Sequence, residues 1–307
     1  LPKPRSLVQI HFPDSNALLA RAQARLKFEE LFYIQLALLS KKHERKKRIR
    51  GYLFEQVGER FTAFYKDHLP FDLTGAQKRV IREIRADLGS NAQMNRLLQG
   101  DVGSGKTIVA VLTILLALDN GYQACLVAPT EILAQQHFNA VSELLEPLGL
   151  PVGLLTGSVK EKDRKPLLAG LSDGSLPILI GTHAVLEPRV KFNNLGLAII
   201  DEQHRFGVAQ RAKLWKKNKR PPHILVMTAT PIPRTLAMSL YGDLDISLID
   251  ELPPGRTPVR TVALANTRRE DVLARIGEAC AQGRQAYWVC TLVEASDQLE
   301  AQAAEDT

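Results

Sequence analysis

The chain has 307 residues, of which 45% are hydrophobic and 24% charged, and it carries a net charge of +7. That length holds one large domain or two medium ones with ample core, and no apolar run reaches the length of a membrane span, which excludes a transmembrane helix. Three cysteines (Cys125, Cys280 and Cys290) lack metal-ligand spacing. Cys125 and Cys290 fall in apolar strand-like runs and read as buried free thiols in a reducing compartment, so the expected location is the cytoplasm.

The chain opens on Leu1-Pro2-Lys3-Pro4, with no initiator Met and no signal-peptide layout, and is expected to be an excised piece of a longer protein. Residues 1–70 hold 14 Lys+Arg against 7 Asp+Glu, so the remainder is near neutral. Asn16 to Ser40 reads as one helix whose apolar residues cover much of its girth, with Glu29 and Glu30 on its wetter side. A second helical stretch runs from Tyr52 to His68. Between them lies the densest charge run, Lys41 to Arg50. It has two readings, contact with nucleic-acid phosphates or the solvated end of a long helix. Residues 1–70 are thus expected to form a helical basic connector with no sheet of its own.

Residues 71–252 read as the principal domain. Thr74 can cap a helix from Gly75 to Leu88. Gln77, one turn in, is either an exposed helix residue or, since an amide both donates and accepts, a partner for the N6/N7 edge of adenine. After a short strand at Arg96 to Gln99 comes Gly100-Asp101-Val102-Gly103-Ser104-Gly105-Lys106-Thr107, which fits G-x-x-x-x-G-K-[ST]. Glycines let backbone N–H groups cradle phosphate oxygens, Lys106 reaches the β/γ-phosphates, and the Thr107 hydroxyl can ligate Mg²⁺. Ile108 to Leu118 follows as an apolar helix, with Asn120-Gly121 as its C-cap. Strand, loop and helix in that order are the context this motif requires.

Apolar runs then alternate with helical ones. Strands are expected at Ala124–Ala128, Gly153–Leu155, Ile178–Ile180, Leu197–Ile200 and Ile224–Met227, and helices after Pro129 and from about Lys160. Apolar strands between amphipathic helices mean a mostly parallel sheet covered on both faces, with ligands at the carboxyl ends of strands. Polar residues fall there: Pro129-Thr130, Gly181-Thr182-His183, Asp201-Glu202-Gln203-His204 and Thr228-Ala229-Thr230. Asp201, at a strand tip opposite the octet, can hold Mg²⁺ with Thr107, and Glu202 can orient and deprotonate the attacking water. Hydrolysis of a nucleoside triphosphate is the expected chemistry. The Pro/Gly-rich segment Asp250 to Pro258 reads as a linker. Residues 253–307 then begin a second α/β unit, with strands at Val259–Leu264 and Ala286–Cys290 around a helix from Arg268 to Ala281.

This ordered set resembles the superfamily 2 helicases and, more narrowly, the bacterial branch-migration helicases. Its most specific parts are the octet, Ala128-Pro129-Thr130-Glu131, Asp201-Glu202-Gln203-His204-Arg205-Phe206-Gly207 and Thr228-Ala229-Thr230-Pro231-Ile232-Pro233-Arg234-Thr235. The resemblance covers nearly the whole chain and implies a RecA-like P-loop NTPase domain followed by the truncated start of a second. It implies ATP and Mg²⁺ at Gly100 to Thr107 and Asp201, adenine at Gln77, and catalysis by Lys106, Asp201 and Glu202. It further implies that Thr228, Thr230 and His204 couple nucleotide state to DNA, and that Pro129-Thr130 and Gly181-Thr182 grip a strand through backbone amides. Its implied substrate is branched DNA (forks, three- and four-way junctions), remodelled by a monomer in recombination and repair. The family's junction-splitting wedge domain and most of its second motor domain are not matched, so the ATP half-site is expected to be open. A transcription–repair coupling translocase shares the layout. Two further classes are weighed: a P-loop ATPase with a non-nucleic-acid substrate leaves the basic prefix and Thr-Ala-Thr without a role, and a DNA-binding module with a vestigial ATP site leaves Lys106, Asp201 and Glu202 without one.

Overall fold

The computed structural model describes residues 1–202, 214, 217–218, 220–230, 244–251 and 259–289, in two compact units that divide at Arg256 and Thr257. The first unit is built on a seven-stranded sheet. Its strands are β1 (Asn95–Gly100), β2 (Gln123–Val127), β3 (Val152–Leu155), β4 (Ile178–Gly181), β5 (Leu195–Asp201), β6 (His223–Thr228) and β7 (Asp245–Ile249). They lie in the order β3-β4-β2-β5-β6-β1-β7, and every pairing is parallel. Such a sheet must be covered on both sides, and the strands divide their side chains with period two. Leu98, Leu126, Ile180, Ile199 and Leu225 enter one core. Their chain neighbours Leu97, Cys125, Val127, Leu179, Ile200 and Val226 enter the other. The expected α/β, RecA-like architecture is the one observed.

The first core is closed by three helices: α4 (Gly75–Leu88), α5 (Lys106–Asp119) and α6 (Glu131–Leu145). Every residue of α5 from Ile108 to Leu118 is buried, which is why its sequence is apolar all round and not amphipathic. Thr74 caps α4 as expected, in a full capping box with Gln77. The second core takes Leu171 from α7 (Glu161–Asp173) and the segment Ala184 to Phe192.

Ahead of this unit lie α1 (Lys3–His11), α2 (Asn16–Arg48) and α3 (Glu59–Ala63), the last continuing as a π turn over Phe64–His68. Three expectations are corrected here. Helix α2 does not end at Ser40 but runs through the basic stretch to Arg48, because Lys and Arg propagate a helix well and complement its C-terminal dipole. Glu29 is buried, paired with Lys3 of α1 and with Arg25 at 3.0 Å. Residues 52–57 are irregular, not helical. Phe54 is buried, stacking on Tyr122 with centroids 4.9 Å apart, and its N–H donates to Leu88 O. Aromatic burial on the sheet flank has overridden helical propensity.

In the second unit, α8 (Arg269–Ala281) forms where a helix is expected. Neither flanking strand is present among the described residues: 259–265 and 284–289 are irregular. A lone strand leaves its backbone N–H and C=O groups without a ladder partner, so apolar sequence alone does not make one. Cys290 and residues 252–258 of the expected linker lie outside the described residues.

Candidate nucleotide-binding site

Parallel pairing puts the carboxyl ends of β1, β5 and β6 at one edge. In register, Gln99 of β1 stands beside Thr228 of β6, and Met227 beside Asp201 of β5. The octet, the acidic pair and the Thr-Ala-Thr segment are therefore brought together by the sheet, although 127 residues separate Asp101 from Thr228 in sequence.

Gly100 closes β1, Asp101 to Gly105 form the loop, and Lys106 and Thr107 open α5. Gly103 and Gly105 have φ of +75° and +84°, a region an L side chain enters at a cost. Gly105 is doubly constrained, since a Cβ there would collide with the Gln77 amide nitrogen. The Lys106 ammonium folds back over the loop and donates to Gly100 O (2.8 Å) and Asp101 O (2.9 Å). Burial holds its pKa below the ordinary lysine value, opposed by the negative charges of Asp201, Glu202 and Asp101. The same carboxylates thus face the cation electrostatically. The loop leads into the N-terminus of a 14-residue helix, where unpaired N–H groups and the dipole favour an anion.

Gln77 is fully buried, which overturns the exposed-helix reading. Its Nε2 donates to Ser104 O at 2.8 Å and its Oε1 accepts from Thr74 N at 2.9 Å. In this structure the amide is a strut between α4 and the phosphate-type loop.

The two acids diverge. Asp201 is buried at the tip of β5, and His137 Nε2 of α6 lies 2.7 Å from its Oδ2. Glu202 has φ +50°, the sole positive value outside glycine among the described residues, in a region that strains a residue with a Cβ. Its N–H donates to Met227 O, and its carboxylate accepts from Ala229 N (3.1 Å) and Thr228 Oγ1 (3.5 Å). Thr228 Oγ1 lies 2.7 Å from Thr230 Oγ1. The Thr-Ala-Thr segment therefore holds the second acid directly.

Thr130 caps α6, accepting from Leu133 N, and it and Pro129 are half-buried at the same edge. Gly181 and Thr182 are buried. A Cβ on Gly181 would collide with Leu155 O, and the Thr182 hydroxyl has no hydrogen-bond partner among the described residues. The residue exposed there is His183. His204 lies outside the described residues, as do Gln203, Arg205 to Gly207 and Pro231 to Thr235.

Sequence reasoning missed two features. His137 sits in a polar stretch of a helix and gives no sign of its partner, which is 64 residues away. The segment Thr156-Gly157-Ser158 follows β3 at the same edge, with Ser158 N donating to Glu131 Oε1 at 3.1 Å. The rule that singled out the other strand ends would have found it.

A phosphate-type loop at the end of one strand of a parallel sheet, with an acidic pair at the tip of another, is the layout of a nucleotide-binding α/β domain. The DEAD/DEAH box helicase profile matches residues 74–239, more than half of the chain, and the chain belongs to this family. It is 51% identical over 299 residues to the ATP-dependent DNA helicase RecG of Synechocystis sp., covering 97% of this chain and 36% of that protein. It is 46% identical to RecG of Bacillus subtilis, covering 98% of this chain and 44% of that protein. Among solved structures, RecG bound to a three-way DNA junction superposes with a TM-score of 0.79 at 40% identity, over 91% of this chain and 37% of that one. The chain therefore spans between 36% and 44% of the length of these relatives.

Proposed function

We propose that this chain is the ATP-binding motor portion of a helicase that remodels branched DNA in recombination and repair. One observation carries the reading: the octet, Asp201-Glu202 and Thr228-Ala229-Thr230 meet at one sheet edge, with Lys106 under the field of both acids. In this reading ATP phosphates occupy the loop from Gly100 to Thr107, and Lys106 exchanges two backbone carbonyls for phosphate oxygens. Gln77 holds the loop's shape, and it would meet adenine only by releasing its amide from Ser104 O and Thr74 N. Glu202 exchanges the Ala229 amide for the attacking water, orients it and takes its proton. Thr228, already bonded to Glu202, and Thr230, bonded to Thr228, report that exchange. The strand-contacting positions are Pro129, Thr130, Gly181 and Thr182, and His204 belongs with the coupling residues. Thr130 is supported by its place at a helix N-terminus, whereas the buried Gly181 and Thr182 would act by fixing the backbone around His183.

Magnesium fits the donor set. Among the described residues no cluster of three or more His, Cys, Asp or Glu can cage a metal. Mg²⁺ instead takes one or two protein oxygens and completes its shell with phosphate and water. Asp201 and the Thr107 hydroxyl would hold it, and bound there it would neutralise charge developing on the phosphates. Among the described residues no helix is long and apolar enough to cross a membrane. A monomer in the cytoplasm is the arrangement we infer.

The test is ATP turnover by the full-length protein with and without three-way-junction DNA. Turnover stimulated by the junction well beyond linear duplex is expected. A junction-independent ATPase would favour a non-nucleic-acid substrate, and DNA binding without turnover would leave only a binding module. The transcription–repair coupling reading predicts equal stimulation by linear duplex. This chain's identity to RecG and the junction-bound neighbour favour the branched substrate.

A further inference from the structure

The contact between His137 and Asp201 joins two parts of the site that the nucleotide chemistry does not otherwise connect. The side chains are 14% and 11% exposed, and Nε2 and Oδ2 are 2.7 Å apart. An ionised carboxylate only accepts, so the imidazole donates through Nε2. This commits one carboxylate oxygen of Asp201 to the protein, and an ion would take the other. The terminal torsion of an aspartate is broad, and Mg²⁺ tolerates little departure from octahedral geometry. A carboxylate at a strand tip therefore gains from a holder. Glu202 has one in the Ala229 amide, and Asp201 has His137.

His137 is itself well fixed. Helix α6 is capped by Thr130 and closed by Ala134, Val141 and Leu145 in the core. Its first residue, Glu131, is bonded to Ser158 of the neighbouring strand end. The imidazole is thus presented from a rigid element.

We propose that His137 is a positioning residue for Asp201: it orients the carboxylate that receives Mg²⁺, through an Nε2–H donor at a fixed place on α6. The proposal rests on the reading of Asp201 as the metal-side acid. The experiment measures binding of a fluorescent ADP analogue to the full-length protein, first without Mg²⁺ and then as Mg²⁺ is titrated. His137→Ala should raise the Mg²⁺ concentration needed for half-maximal effect about tenfold or more, as loss of a residue behind a metal ligand does, and leave Mg²⁺-free affinity unchanged. His137→Gln, whose amide nitrogen reaches the Nε2 position, should stay close to the unsubstituted protein. His137→Asn, whose amide reaches only the Nδ1 position, should behave as His137→Ala. Asp201→Asn provides the reference. If it raises the Mg²⁺ requirement and His137→Ala does not, the positioning role is wrong and the nucleotide site stands. If neither changes the requirement, both are wrong. Equal loss of Mg²⁺-free binding in His137→Ala, or no recovery in His137→Gln, would make His137 a packing residue only.

Discussion

At the scale of single residues, the buried polar groups have fixed roles that solution measurements can read. His223 is fully buried between Met94 N, which donates to its Nδ1 at 2.9 Å, and Tyr52 O, which accepts from its Nε2 at 2.6 Å. Burial pushes its pKa from 6.5 down to about 4, against the raising effect of the bond to Tyr52 O. The folded state therefore prefers the neutral ring and the unfolded state takes the proton first. The contribution of the neutral ring is intact above pH 6.5 and declines as pH falls toward 4, by about 3 kcal/mol in all. Denaturant titrations from pH 7 to 4 should show this loss, and His223→Gln, less stable at pH 7, should show a flatter dependence. At the proposed catalytic centre, Glu202→Gln in the full-length protein should bind ATP normally and lose turnover by several orders of magnitude, because an amide cannot take the water's proton. A loss below about tenfold in kcat would remove Glu202 from the role of base. Lys106→Ala should abolish nucleotide binding, as calorimetry can show.

Among the elements, α2 resolves which part of its basic end can be available to DNA. Lys42 and Lys46 lie one turn apart and both bind Asp245 at the start of β7, at 2.7 and 2.8 Å, and Lys42 also donates to Leu244 O. Burial raises the Asp245 pKa, but hydrogen bonds from the two lysines outweigh it and hold the carboxyl below its ordinary value. Lys41, Lys47 and Arg48 are exposed on the rest of the helix girth. Reversing Lys42 and Lys46 should therefore cost stability, about 1 kcal/mol for these partly exposed pairs, whatever the DNA does. Reversing Lys41, Lys47 and Arg48 should cost only the exposed helix-dipole contribution of the last turn, roughly 0.3–1 kcal/mol per charge at low salt and screened away as salt rises. If the nucleic-acid reading holds, it should also lower the slope of log K against log salt by about 0.9 for each DNA phosphate that is no longer neutralised. An unchanged slope leaves this run as a solvated helix end.

On the scale of the whole molecule, the segment preceding Leu73 is not merely attached to the motor fold. Asp119, at the end of α5, accepts from Gly58 N (2.9 Å), Phe61 N (3.1 Å) and Arg60 N (3.3 Å), and Asn120 exchanges two hydrogen bonds with the backbone of Gln56. Tyr52, Phe54, Tyr122 and His223 form one aromatic cluster over the sheet flank. Asp119→Ala leaves three N–H groups without their acceptor and should lower stability by about 3 kcal/mol in thermal or denaturant melts. A chain beginning at residue 71 should bind a hydrophobic dye or aggregate, whereas one beginning at residue 50, which keeps the strap, should melt cooperatively. Similar behaviour of the two would show that the strap is not part of the folding unit.

How far the sequence alone reaches follows from the range of the interactions involved. The octet, the Thr74 cap, the strands from Arg96 to Met227 and the buried helix after Thr107 were legible because period, capping and glycine conformation are local and each leaves its mark within a few residues. The parallel sheet followed from their alternation, and with it the meeting of octet, Asp201 and Thr228 at one edge. Tertiary structure decided the rest. Residues 52–57 leave the helix because rings about 70 and more residues away offered Tyr52 and Phe54 a better surface than a helix did. Gln77 became a strut because Ser104 O arrived within its reach, and Lys42 and Lys46 were claimed by Asp245, far along the chain. His137 is one imidazole on a helix until the chain folds and sets Asp201 against it. Pairings of that sequence separation leave no periodic trace, because only the packed sheet and its covering helices determine which distant side chains become neighbours.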